Sequence, residues 1–328
     1  MDLTYFSQSI ARVKAMENKM LDKAKFEALI EAKDFDEAVR MLQDTVYSNY
    51  NIRNFEEGLK KALEDLYFEM YKIVPNKSVV DVLAARYDGH NIKTLIKSKF
   101  SNFEFEKVLF EIGTVPLDVL KISIKEENFR DINPILRSYI ERALEDFKSN
   151  KNPQNIDLII DKGILKYMLS IAEDSKLEYL VKLVKLIIDM TNIKAFVRIK
   201  VQERDREFFK KAFIEDGNID LDHFLNSFND SLDSFANKIM HTEHFKWVKG
   251  GLEEYIKKHD LGSLEKYGDN YIMDFIKNSK FISFGPDPLI AYIIARENEI
   301  RLLRIVLTGK KNGVAPDVIR ERLRDTYV

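Results

Sequence analysis

Two histidines three residues apart, in His241-Thr242-Glu243-His244, have a spacing that suits metal coordination. On a helix, positions i and i+3 share a face, so both imidazoles would reach one ion. The other His residues among the five are scattered, no HExxH occurs and no third ligand stands out. The sequence favours surface histidines on a helix. A helical metal-dependent hydrolase centred on His241 and His244 is the alternative. Other chemistries lack their residues altogether. With no Cys there is no thiol nucleophile, no disulfide framework and no Cys-ligated zinc or iron–sulfur site. Neither GxGxxG nor GxxxxGK[ST] is present, and the 12 Gly are dispersed, so no phosphate-cradling loop and no direct nucleotide binding are expected. GxSxG is missing too. No catalytic residue, cofactor site or metal ligand is assigned.

A different set of polar residues recurs. Asp88-Gly-His-Asn91-Ile-Lys93 is matched by Asp189-Met-Thr-Asn192-Ile-Lys194, and in weaker form by Glu299-Ile-Arg-Leu302-Leu-Arg304. Each copy follows a second element that starts with an acid and ends in two apolar residues: Glu64 to Phe68, Asp161 to Leu165 and Asp269 to Met273. Acid and Asn at i and i+3 share a helix face, while the base at i+5 points elsewhere. The motif reads as an exposed polar turn that interrupts and orients a long buried helix. Its other reading is a repeated partner-contact site. Bases follow each copy: 194–211 holds seven against three acids, 301–324 seven against two, and 93–107 four against two. The helix macrodipole favours cations at helix C-termini, so solvated faces explain these runs as readily as docking does.

The elements that must position these residues are helices. Gly and Pro together are 19 of 328 residues, about 6%, roughly half of ordinary usage. No segment alternates with period two between hairpin turns. Leu3, Phe6, Ile10, Val13 and Met20 recur at helical steps, with Glu17 in one skipped slot, which predicts a helix over 2–22. Further helices are expected near 25–32, 35–43 (after Asp34), 52–72, 77–99, 134–149, 155–172, 175–200, 229–258 and 287–308. Those at 175–200 and 287–308 are apolar over much of their circumference and should be enclosed. Breaks fall at Pro75-Asn76, Gly113-Thr114-Val115-Pro116, Asn152-Pro153, Gly285 to Pro288 and Asn312-Gly313. Asp287 should stand at a helix start, and Trp247 should be a packing anchor. The repeat divides the chain into three helical modules, 1–113, 114–217 and 218–328, packed around a pseudo-threefold axis or stacked in a row.

Composition bounds the partners. With 52 Lys+Arg against 54 Asp+Glu the formal charge is −2, which argues against a dedicated nucleic-acid binder. Residues 1–70 carry fourteen acids and ten bases, so charge is segregated along the chain. The longest apolar run, LIAYIIA at 289–295, is far below the ~18–20 residues of a membrane span. No signal peptide opens the chain, and the lack of Cys fits a cytoplasmic location.

One resemblance ties these features together. Tyr5, Arg12, Glu17, Leu21, Phe26 and Leu29, then Leu42 and Thr45-Val46-Tyr47, resemble the start of the C subunits of A/V-type rotary ATPases, the counterparts of the d subunit in the vacuolar enzyme. The Asp88–Lys93 motif and ENEIRLLRIVLTGKKNGVAPDVIRERL at 297–323 resemble two more stretches of that family. The third copy departs from the pattern, with Leu302 where Asn stands twice. The resemblance implies an all-α, funnel-like body of three similar modules in pseudo-threefold arrangement, without catalytic residues. It implies a central-stalk rotor component that acts as a socket between the D and F proteins of the stalk and the membrane proteolipid ring. Such a component is peripheral to the membrane on its cytoplasmic face and couples ATP chemistry to H⁺ or Na⁺ transport. Lys93, Lys97, Lys194, Arg198, Arg204, Arg301 and Arg304 are the candidate partner-binding bases. An unrelated helical scaffold that binds other proteins is the competing reading.

Overall fold

The computed structural model describes residues 3–101 and 106–328, with side chains from Thr4 onward. Asp2 and Leu3, at the start of the expected first helix, and 102–105 within the first basic stretch fall outside the described residues or side chains. By its internal packing the chain forms two compact units, 1–77 with 247–328, and 78–246. Among the described residues every regular element is helical, as the scarcity of Gly and Pro and the helical apolar spacing require.

The first unit opens with α1 (Ser7–Glu17), α2 (Lys23–Glu31), α3 (Phe35–Met41) and α4 (Phe55–Ile73). The second contains α5 (Ser78–Lys99), α6 (Leu117–Glu126), α7 (Pro134–Asn150), α8 (Pro153–Ser175), α9 (Glu178–Val201), α10 (Arg206–Ala212), α11 (Leu221–Leu225) and α12 (Leu232–Lys238). The chain returns to the first unit within the first turn of α13 (Phe245–Lys258), followed by α14 (Gly262–Lys277), α15 (Asp287–Lys311) and α16 (Pro316–Arg322).

Local chemistry sets many of these limits. Asp34 starts α3 by accepting the Glu37 amide at 2.8 Å, and Asp22 starts α2 by accepting that of Lys25 at 2.7 Å, each satisfying a free N–H of the first turn. Asn133 and Asn152 cap α7 and α8, each with Pro as the first helical residue, where its missing N–H costs nothing. Asp287 is the first residue of α15, as its position after Gly285-Pro286 predicts.

Two expected helices end differently. The first, expected to reach residue 22, stops at Glu17: the Lys19 and Met20 amides tighten onto the Met16 and Glu17 carbonyls three residues back, and the Leu21 amide then goes to the Glu299 carboxylate. The expected 229–258 helix is two, α12 and α13. Turns at 239–244 separate them, with Thr242 N–H bonded to the Ile239 carbonyl and Phe245 N–H to that of Thr242. Helices α6, α10, α11, α14 and α16 are additional to those expected, although α6 and α14 each bury an apolar stripe, Leu117, Leu120 and Ile124 in one and Leu264, Met273 and Ile276 in the other.

In the first unit α15 is the central element. It packs on α1, α2, α3, α4, α14 and α16, and Leu289, Ile290, Ile293, Leu303, Val306 and Leu307 are wholly buried. In the second, α8 packs on α5, α7 and α9. Phe196 of α9 gathers Phe209, Phe224 and Phe235, with ring centroids 5.2, 5.4 and 4.4 Å away, which binds α10, α11 and α12 to that helix. Each fully buried aromatic of this kind contributes about 1.5–3 kcal/mol. Both segments expected to be enclosed, α9 and α15, are so. Trp247 is buried and stacks on Tyr271 at 6.4 Å, an anchoring contact.

Candidate functional site

The repeated acids and Asn residues are among the most deeply buried polar groups of the described chain. Asp88, Asn91, Asp189 and Asn192 are 0% exposed and Glu299 is 2% exposed. This corrects the expectation of an exposed polar turn. Burying a carboxylate or carboxamide is unfavourable unless its hydrogen bonds are made inside, so each must have partners at hand.

On α5, Asn91 and Asp88 stand one turn apart and face the segment 110–115. Asn91 Nδ2 donates to the Phe110 carbonyl at 2.8 Å, and the Phe110 N–H donates to Asn91 Oδ1 at 2.9 Å. The carboxamide thus replaces a backbone partner for one residue. Asp88 Oδ2 accepts from the Thr114 N–H at 2.8 Å and its hydroxyl at 2.7 Å, while Oδ1 accepts from the Val115 N–H at 3.2 Å. Gly113 lies so close that a Cβ there would overlap Asp88 Oδ1.

The same construction recurs on α9. Asn192 exchanges two bonds with Ile214, 2.7 and 2.8 Å long. Asp189 Oδ1 accepts from the Asn218 and Ile219 amides at 2.8 and 3.1 Å, and Oδ2 accepts from Asn218 Nδ2 at 2.9 Å. A Cβ on Gly217 would overlap Asp189 Oδ1. These two acid–Asn pairs are clamps that fasten a returning loop to the helix it has left.

The third copy uses other partners. Glu299 of α15 accepts from the Leu21 N–H at 2.5 Å, from the Tyr47 hydroxyl at 2.7 Å and from the Arg296 guanidinium. Leu302, in place of Asn, is buried and apolar. Arg296 also lies over the Tyr47 ring, 5.3 Å from its centroid.

The electrostatics follow from burial against hydrogen bonding. Burial pushes the Asp88 carboxyl from 3.8 up to about 6, while the donors of Thr114 and Val115 pull the other way. Glu299 is raised by burial, with Arg296, Tyr47 and the Leu21 amide opposing. Tyr47 is raised well above its ordinary value by burial and then by the Glu299 charge. Burial works against the Arg296 charge, yet Tyr47 and Glu299 hold its proton more tightly than usual. At neutral pH the acids face N–H and O–H donors of their own chain. Their chemistry is to hold backbone in place.

The histidines part company. His241 is exposed, whereas His244 is 1% exposed and its Nε2 stands 3.3 Å from Asp189 Oδ2. His244 is therefore not the surface histidine the sequence favours, because it belongs to the second clamp. Both lie in the turns before α13 rather than on a helix. Among the described residues no group of three His, Asp or Glu side chains could hold a metal ion.

The seven bases proposed from sequence are largely engaged by the chain itself. Lys93 meets Asp161 and Lys97 meets Asp157, both at 2.6 Å. Arg301 meets Asp269 at 3.1 Å, and Arg304 meets Glu56 at 3.0 Å. The Arg204 guanidinium lies 5.4 Å from the centroid of the Phe208 ring, and Lys194 and Arg198 have interactions as well. Asp161 and Asp269, the acids opening two of the second sequence elements, thus serve as partners for these bases. What sequence reading missed is the other half of each clamp. Gly113-Thr114-Val115-Pro116 reads only as a helix break. The signal that could have marked it is a glycine 25–28 residues after each of the first two acids.

Buried acids fixing returning loops, among described elements that are all helical, define an all-α protein whose polar motif serves its own architecture. Similarity to known proteins specifies which. The chain belongs to the family described as ATP synthase (C/AC39) subunit, which matches residues 9–322. It is a non-catalytic central-stalk component of the A/V-type rotary ATPase class. Relatives span nearly the whole chain. The C subunit of the V-type sodium ATPase of Enterococcus hirae is 27% identical over 96% of this chain and 97% of its own length. The C subunit of the A-type ATP synthase of Desulfurococcus sp. (strain SY) is 29% identical over 97% of this chain and 90% of its own. That of Methanocaldococcus jannaschii is 27% identical over 98% and 87%.

Proposed function

We propose that this chain is the socket of its rotary complex, receiving the D and F proteins of the central stalk on one side and resting on the membrane proteolipid ring on the other. It would pass torque between ATP chemistry and the movement of H⁺ or Na⁺ without nucleotide chemistry of its own. The observation that carries this reading is collinear similarity, over nearly the full length of each, to chains named as the C subunits of both an ion-pumping ATPase and ATP synthases. In this reading three similar modules, 1–113, 114–217 and 218–328, form a pseudo-threefold, funnel-like body. It is supported by the clamp glycines Gly113 and Gly217, which fall at the two module boundaries. Loops tied by buried carboxylates and short turns give the stiffness that a torque-bearing part needs.

The chain would lie peripherally on the cytoplasmic face of the membrane. No helix among the described residues is long and apolar enough to cross one. Docking would use Lys93, Lys97, Lys194, Arg198, Arg204, Arg301 and Arg304. Four of these already hold acids in partly exposed pairs, and such pairs are worth little, about 0–1 kcal/mol. A partner's carboxylate can therefore replace the chain's own at small cost. The test is reconstitution of the purified chain with the D–F stalk and, separately, with the detergent-solubilised ring. Binding of both is expected, and failure with either partner would remove the socket reading.

A further inference from the structure

The donors to the three repeat acids stand in one register. Val115 gives its amide to Asp88, Ile219 to Asp189 and Leu21 to Glu299. Two residues after each donor a helix begins: α6 at Leu117, α11 at Leu221 and α2 at Lys23. The residue between donor and helix is the N-cap in every case: Pro116, Asp220 and Asp22. The loop around Leu21 thus holds toward Glu299 the place that the loops around Val115 and Ile219 hold toward the other acids. The connection differs. Val115 and Ile219 lie 27 and 30 residues after their acids, whereas Leu21 lies 278 residues before Glu299. Tyr327, at the corresponding distance downstream of Glu299, instead sends its hydroxyl to Glu17, 3.1 Å away.

We propose that residues 18–22 are the loop of the third repeat, delivered from the other end of the chain, and that the Glu299 joint is a latch. Here residues 3–22 detach while the other two clamps stay shut. Two observations point to this joint as the first to open. Leu302 has replaced the Asn whose paired bonds give the other clamps their second tie. Glu299 divides its oxygens among Leu21, Tyr47 and Arg296, so its carboxylate keeps partners when the Leu21 amide leaves. Other polar ties of the segment include Ser9 Oγ to the Ile73 carbonyl at 2.5 Å, Tyr5 Oη to the Pro75 carbonyl at 3.4 Å, and Glu17 with Tyr327. Phe6, Ile10 and Val13 supply the apolar hold on one side of α1. Local openings of this sort draw on the least-fastened part of a fold.

Amide hydrogen exchange on the full-length protein tests the latch, since all three reporter amides donate to a carboxylate. The protection factor of Leu21 should be at least tenfold below those of Val115 and Ile219. Equal or greater protection at Leu21 would overturn the proposal. In Glu299→Gln, protection should fall further across 7–22 while Val115 and Ile219 keep theirs. No change at Leu21, or an equal loss at all three amides, would overturn it as well.

Discussion

Replacing Asp88 by Asn changes one atom's chemistry in the first clamp and leaves its volume unchanged. With the carboxamide oxygen kept opposite Thr114, the new NH₂ faces the Val115 N–H across 3.2 Å, donor against donor. A buried donor left without an acceptor costs about 1–3 kcal/mol, the destabilisation expected near neutral pH. Acid adds a second effect. The native carboxyl is raised from 3.8 to about 6, so between those values the folded state binds more protons than the unfolded one. Stability from Asp88 is therefore full below the lower value and is lost as pH rises through the upper one. Going from pH 7 to about pH 4.5, the wild type gains roughly 2 kcal/mol from this group, at ~1.36 kcal/mol per pKa unit. Asn cannot titrate there, so the gap should widen to about 3–5 kcal/mol. Urea unfolding of both proteins at the two pH values measures it, given matching m-values. A gap that stays constant or narrows in acid would defeat this prediction. It would mean that the donors of Thr114 and Val115 outweigh the cost of burying the charge.

Three further outcomes follow from the same geometry. Gly113→Ala drives a methyl group into Asp88 Oδ1 and should destabilise by about 1–3 kcal/mol, measured by urea midpoint. Asn192→Leu copies the third repeat's residue but strands the N–H and C=O of Ile214, at about 2–3 kcal/mol; unchanged stability would dismiss the paired bond as a tie. Reversing the charge at Lys194, Arg198 and Arg204 together should weaken stalk or ring association and steepen its salt sensitivity. Unchanged pull-downs at low and moderate salt would remove these bases from the docking surface.

The helical class is legible because it rests on local signals: few turn residues, apolar residues at helical steps, and Asp or Asn-Pro caps at helix starts. The repeat is legible as well, and its positions Asp88, Asn91, Asp189, Asn192 and Glu299 are the polar centres of the fold. Their purpose is hidden, because what they bind is mostly backbone N–H and C=O, which every residue carries. The same blindness turns Gly113-Thr114-Val115-Pro116 into a mere break and runs α1 on to residue 22. It also leaves His244 on the surface, since nothing in its neighbourhood in sequence announces the Asp189 carboxylate 55 residues away. The N-terminal pattern Glu17, Leu21 and Tyr47 stands out as a resemblance. The structure supplies a physical reason for it: Glu17 meets Tyr327, while Leu21 and Tyr47 meet Glu299. The bases read as free for partners because charge balance along a helix does not reveal a carboxylate on the next one.

The socket role depends on the chain's joining the stalk to the ring. Co-elution of one full-length chain with the D–F pair and the detergent-solubilised proteolipid ring, followed by native mass spectrometry, examines that junction without intermediaries. A single assembly containing all of them is expected, in which stalk and ring associate only when the chain is present. Association of stalk and ring without the chain, or a chain that binds one and excludes the other, would contradict the socket role.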